Sequence, residues 1–222
     1  PALHCDGLDA GPLDLGGGAA VVFAAANGVI AGERYDNVVG PIDAEDSNGE
    51  NARSVVTVLR HGEVRMMTSG DLTGGGSDSD PVEAFIAPRL PQVTDLDGRG
   101  VDVMVASHHG RDTSSSEIWV DTLLPADGSS RNVLIGVSAM HLGSPHGEVL
   151  EAVAGNGRLC EGRIWTTTVA SGGDSHASLV DAGGGDVIVA TVDGGRGYVV
   201  QAVSVSGELL ESRAYHAVRV CP

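Results

Sequence analysis

Short valine- and alanine-rich runs, separated by glycine-containing polar stretches, recur along the chain, and each run predicts a buried or half-buried strand. The first covers residues 19–26, framed by Gly16, Gly17 and Gly18 before it and by the turn pair Asn27 and Gly28 after it. Residues 29–52 are polar and acidic, with Asp43, Glu45, Asp46 and Glu50 close together, and predict a surface loop. Residues 54–59 and 64–68 flank His61 and Gly62 with β-branched positions on both arms, the signature of a hairpin that leaves His61 exposed and idle. The second arm runs into Ser69, Gly70 and Asp71. A Gly/Ser/Asp tract over 73–80 follows, then a short helix from Pro81 to about Pro88 with proline at its start. Residues 101–106 predict a buried strand that delivers Ser107, His108, His109 and Gly110. A helix over about 115–124 comes next, opened by the capping-competent Ser114, Ser115 and Ser116. A strand over 133–137 leads through a loop to a helix beginning near His146. From about residue 163 onward the pattern is strands with turns at 183–185 and 194–197. The whole predicts an α/β (α+β) fold in one domain over 1–222, with a β-rich C-terminal extension.

Composition narrows this picture. Hydrophobic residues make up 41% of the chain but aromatics only 3%, so the core is built from Val, Ala, Leu and Ile. Thirteen basic residues, all arginine, face thirty acidic ones for a formal charge of −17. That balance argues against broad nucleic-acid or anionic-membrane binding and reads first as a solubility device, suited to a salty or extracellular setting. No apolar run approaches the roughly eighteen residues of a membrane helix, so a soluble chain with no membrane partner is expected. Cys5, Cys160 and Cys221 are too far apart for a thiolate metal motif; a Cys160–Cys221 disulfide suits a secreted protein and leaves Cys5 free or paired elsewhere. The chain opens on Pro1 without a leader, which predicts that something upstream was removed.

The candidate chemistry lies at two predicted strand ends. Asp71 follows one and His108 and His109 follow the other, where sites gather in layered folds. Carboxylate and neutral imidazole are the usual oxygen and nitrogen ligands of a zinc-type ion. Taken singly, a Gly-Asp pair is an ordinary turn and a His-His pair an ordinary polar loop. The other histidines, His4, His61, His141, His176 and His216, have no ligand-like neighbours in sequence. No Gly-x-Ser-x-Gly elbow accompanies the serines, and the glycine clusters lack the Lys-Ser/Thr ending of a phosphate loop.

The segments 51–58, 66–72 (MMTSGDL), 101–110 (VDVMVASHHG) and 113–116 follow one another as in the metallo-β-lactamase superfamily. Over residues 15–170 the chain most resembles soluble enzymes similar to the C-terminal domain of ComEC-type DNA-uptake proteins. The resemblance implies an αββα sandwich and a two-zinc hydrolase acting on a phosphodiester or related ester through metal-bound hydroxide. It makes Asp71 the bridging ligand and His109 the better ligand of the pair, with His108 on the substrate's oxygen; the two histidine assignments are interchangeable at this stage. The substrate is then a small molecule or phosphodiester.

Three departures accompany the resemblance. The HxHxDH motif that supplies the first metal is absent, and since residues before about Leu15 do not resemble the strands that carry it, an N-terminally truncated fold is expected. Where relatives read Tyr-Gly-His-Pro, this chain reads Leu142, Gly143, Ser144, Pro145, so Ser144 takes the histidine's place beside the substrate. His146, two residues on, either substitutes for it or caps the helix, and the cap is favoured. Arg111 and Asp112 replace a small residue after His-His-Gly. Two rivals to the hydrolase follow: a non-catalytic binding or assembly module that keeps the fold without the first metal's ligands, and an acidic extracellular structural domain.

Overall fold

The computed structural model describes residues 11–35, 51–75, 81–96, 98–138 and 140–217. A hairpin organises its first half. β5 (Val56–His61) and β6 (Val64–Thr68) pair antiparallel with His61 opposite Val64, which leaves Gly62 and Glu63 as a two-residue turn with Gly62 at φ +57°. β2 (Ala19–Ala26) lies antiparallel to β5 and carries β1 (Leu13–Gly16) and the small hairpin β3 (Val29–Ile30) and β4 (Glu33–Arg34). On the other side of β6, the strands β7 (Val103–Val105), β8 (Asn132–Ile135), β9 (Ile164–Thr166) and β10 (Leu179–Asp181) add in parallel, giving one ten-stranded mixed sheet.

Parallel neighbours need crossovers, and helices supply three of them. α1 (Val82–Ile86) and α2 (Leu90–Val93) link β6 to β7, α3 (Glu117–Leu123) links β7 to β8, and α4 (Gly147–Ala154) links β8 to β9. Each buries an apolar stripe, such as Trp119, Val120 and Leu123 in α3 and Val149, Leu150 and Val153 in α4. These stripes meet Met67, Met104, Val133, Ile135 and Ile164 on one face of the sheet. The intervening residues Val64, Val103, Leu134 and Trp165 point the other way. There they meet Tyr198, Val200, Ala202 and Tyr215 from an antiparallel three-stranded sheet, β11 (Asp186–Val192), β12 (Gly197–Val203) and β13 (Leu209–His216). The central strands are buried on both faces, which explains their continuous apolar sequence. The fold is therefore mixed α/β, and among the described residues its layers are helix, sheet, sheet.

Polar side chains fasten the two sheets. The Tyr198 hydroxyl donates to the carbonyl of Asp102 at 3.1 Å and accepts from Asn132 Nδ2 at 2.9 Å, while Asn132 Oδ1 accepts from Trp165 Nε1 at 2.8 Å. Burial pushes the Tyr198 phenol well above its ordinary range. Tyr198→Phe leaves the Asn132 amide without its acceptor and is expected to cost about 1–3 kcal/mol, read as a lower urea midpoint with unchanged slope.

His61 is not idle. Its Nε2–H donates to the Gly17 carbonyl at 3.1 Å and its Nδ1 accepts from the Thr191 hydroxyl at 2.7 Å, so it ties the β1–β2 turn, β5 and β11 together. The three-stranded sheet approaches so closely that a Cβ on Gly195 would stand 2.1 Å from the His61 carbonyl oxygen.

Other expectations shift at their boundaries. Within the loop expected over 29–52, β3, β4 and the fully buried Tyr35 are ordered, and residues 36–50 lie outside the described residues. The helix expected to stop near Pro88 continues through a 3-10 turn, Ala87–Arg89, into α2, because Pro88 and Pro91 each fall in a first turn where no N–H is needed. Cys160 is disulfide-bonded, while Cys5 and Cys221 lie outside the described residues. No helix among the described residues is long and apolar enough to cross a membrane.

Candidate functional site

β6 and β7 are parallel neighbours, so their C-terminal ends lie side by side, the edge where ligands bind in open α/β sheets. After β6 the chain turns through buried Ser69 and Gly70, at φ +56°, to Asp71. Beyond β7 it enters a 3-10 turn, Ser107–Gly110, in which His108, His109 and Gly110 are all left-handed, at φ 48°, 58° and 70°. Two consecutive non-glycine residues in that region cost about 1–2 kcal/mol each, so the surrounding structure must hold them. It does so with a set of cross-loop bonds. The His108 N–H donates to the Gly70 carbonyl at 3.0 Å, the Ser69 and Ser107 hydroxyls meet at 2.7 Å, and the His146 N–H donates to the Gly110 carbonyl at 2.9 Å.

This turn brings His109 Nε2 to 3.4 Å from Asp71 Oδ1, with the two side chains 29% and 41% exposed. His109 Nδ1 lies 2.6 Å from the Gly136 carbonyl oxygen, which only accepts, so Nδ1 carries the proton. A neutral His109 therefore turns a bare lone pair toward a carboxylate. Such a pair is satisfied by a proton or by a cation between them, and an Nδ1–H bonded to a backbone carbonyl is the usual support of a metal-ligating histidine.

His108 accompanies this pair at a ring separation of 6.3 Å, with Nδ1 3.1 Å from the Thr113 hydroxyl. Burial holds its pKa below the ordinary histidine value, against the pull of Asp71. His141, which the sequence left without neighbours, stacks on His109 with centroids 3.6 Å apart and planes 16° apart. Its Nδ1 accepts from the Ser138 N–H at 3.0 Å, so the neutral ring carries its proton on Nε2. Partial burial, then the neighbouring His109, lower its pKa. His141 thus carries its one ring donor on Nε2, with its face against His109. The sequence signal for it was its place three residues before Ser144, on the loop after β8.

Ser144 does not line the opening. It is 1% exposed, and its hydroxyl is buried with no hydrogen-bond partner. His146 occupies the N-cap position of α4 but its side chain makes no capping bond; Asp174 Oδ2 accepts from the Gly147 N–H at 2.7 Å instead. Similarly, the serines expected to cap α3 do not: the carboxylate of Glu83 accepts from the N–H groups of Ser115 and Ser116 at 2.9 and 2.7 Å. Glu83 is fully buried, and burial pushes its carboxyl up to about 7 against the opposing effect of those two bonds. Sequence reasoning passed over it, although an acidic residue between the buried positions Val82 and Ile86 was a signal.

Asp71 and His109 form a carboxylate–imidazole pair, and among the described residues no cluster of three or more His, Cys, Asp or Glu is arranged around one point. No family model and no curated protein matches the chain.

Proposed function

We propose that this chain is a metal-dependent hydrolase domain of the metallo-β-lactamase type, acting on a phosphodiester or related ester. The observation that carries this reading is His109 Nε2 standing 3.4 Å from Asp71 Oδ1, with its Nδ1 held by the Gly136 carbonyl, at the carboxyl ends of two parallel strands. Asp71 and His109 fit a zinc-type ion as an oxygen and a nitrogen ligand. Such an ion supplies Lewis-acid polarisation of the scissile group and acidifies water toward neutral pH. The chain's own residues do the rest: His108, held by Thr113, borders the ligand pair, and His141, stacked on His109, adds a second imidazole beside it. The αββα sandwich belongs to the same proposal, with the helix-sheet-sheet layers as its counterpart here. The disulfide at Cys160 supports an oxidising, extracellular setting.

A second reading is favoured by a specific observation. The chain contains no HxHxDH motif, and Asp71 and His109 make only half a coordination sphere, which suits a non-catalytic binding module. One experiment separates the two. Zinc is titrated calorimetrically into metal-free protein, and hydrolysis of bis(p-nitrophenyl) phosphate is then followed. Stoichiometric binding with turnover, both lost in Asp71→Ala and His109→Ala, is the hydrolase result. Binding without turnover is the module result. Turnover unchanged in both variants sinks the metal site.

A further inference from the structure

The two loops of the site are bonded to each other directly, and each is also bonded to Glu83, one through its backbone N–H and the other through its buried carboxylate. We propose that Glu83 is a positioning residue, whose carboxylate locks the loop bearing His108 and His109 against the loop bearing Asp71 and so sets the gap across which a cation is held. This rests on the metal-site reading above.

Glu83 is bonded to both loops at once. Its backbone N–H donates to the Thr73 carbonyl at 3.0 Å, two residues beyond Asp71. Its two carboxylate oxygens accept from Ser115 and Ser116, on the segment that follows His-His-Gly. The Gly74 N–H donates to the Thr113 carbonyl at 2.8 Å and closes the ring of contacts, and Thr113 in turn holds His108. A Cβ on Gly74 would stand 2.3 Å from Glu83 Oε2, so the carboxylate is seated against a residue that offers no side chain. Ser115, at φ 57°, is left-handed and is held there by this bond.

A simple helix cap does not account for the arrangement. Serines 114–116 stand at the start of α3 and could cap it locally and without burying a charge. A carboxyl group 32 residues away is used instead, inside the protein, at a desolvation cost that its raised pKa records. What the distant group adds, and a local serine cannot, is a further tie between the two loops beside the His108–Gly70, Ser69–Ser107 and Gly74–Thr113 bonds.

The test uses Glu83→Gln and Glu83→Ala in the full chain. Gln keeps one acceptor and opposes the second amide with its own N–H₂; Ala keeps neither. Amide hydrogen exchange of the metal-free proteins is expected to quicken about tenfold at His108, Gly74, Ser115 and Ser116 in Glu83→Gln, and more in Glu83→Ala, with β5 to β8 unchanged. Zinc affinity is expected to fall in the same order, by about tenfold to a hundredfold, as for loss of an outer support of a ligand. Wild-type exchange and affinity in folded Glu83→Gln overturn the proposal, and so does equal acceleration of every amide. Should Glu83→Ala not fold, Glu83→Gln alone decides. If the wild-type protein binds no zinc, the functional reading fails separately, and the exchange pattern still decides whether Glu83 locks the loops.

Discussion

Arg131→Met is expected to remove about 2–3 kcal/mol of stability, the effect of losing charge-assisted hydrogen bonds to a buried acceptor. Arg131 is 2% exposed at the entrance to β8. Its guanidinium donates to the carbonyl of Val101 at 2.6 Å, to the carbonyl of Arg99, and to Asp127 Oδ2 at 2.7 Å. Burial lowers its pKa while Asp127 supports the charged form. Methionine fills much of the volume but donates nothing, so the buried Val101 carbonyl loses its partner and cannot recover it from water, while the half-buried Arg99 carbonyl can. Urea unfolding measures the loss, and a cost below about 1 kcal/mol refutes the account. The location matters as much as the size. Arg131 sits at the amino ends of β7 and β8, whereas Asp71 and His109 sit at the carboxyl ends of β6 and β7. Folded Arg131→Met is therefore expected to keep whatever zinc affinity the wild type shows.

That separation explains what the sequence made legible. Strand interiors were readable because burial on both faces demands continuous apolar residues, as in Val103, Met104 and Val105. Asp71, His108 and His109 were readable because each follows such a run directly, so locating the strand locates the residue. His141 was not, since its place on His109 depends on the path of the loop after β8 and on the Ser138 N–H that turns its ring. His61 looked idle because nothing local shows that Thr191 of β11 reaches the hairpin. Ser144 and His146 were placed near the opening by their position in the chain. Only the folded loop shows Ser144 turned inward and Asp174 doing the capping expected of His146. Glu83 is the deepest case. An acidic residue on a short helix ordinarily faces water, and no local pattern shows that its partners are 32 and 33 residues away.

Glu83 also dictates the second large effect, a fall in stability as pH rises from about 4.5 to about 7. Its carboxyl is raised from the ordinary 4.5 to about 7 in the folded protein. The folded state thus holds the proton more tightly than the unfolded state, so this contribution is complete below about pH 4.5 and is lost as pH rises through about 7. The gap corresponds to about 3 kcal/mol between those limits. His108 and His141 act in the opposite sense: their lowered pKa values favour the folded state above the ordinary histidine pKa and disfavour it as pH falls. A single stability curve therefore mixes rising and falling parts. The difference between wild type and Glu83→Gln, measured by urea unfolding with chelator present, cancels the histidines and isolates Glu83. It is expected to decline by about 3 kcal/mol between about pH 4 and pH 8, most steeply between the unfolded value of 4.5 and the folded value of about 7; a flat difference refutes the assignment. The carboxylate, not the acid, is the form that accepts both backbone amides fully. The clamp on the His108 and His109 loop is thus strongest where Glu83 contributes least to global stability, so order at the site and resistance to unfolding should follow opposite courses with pH.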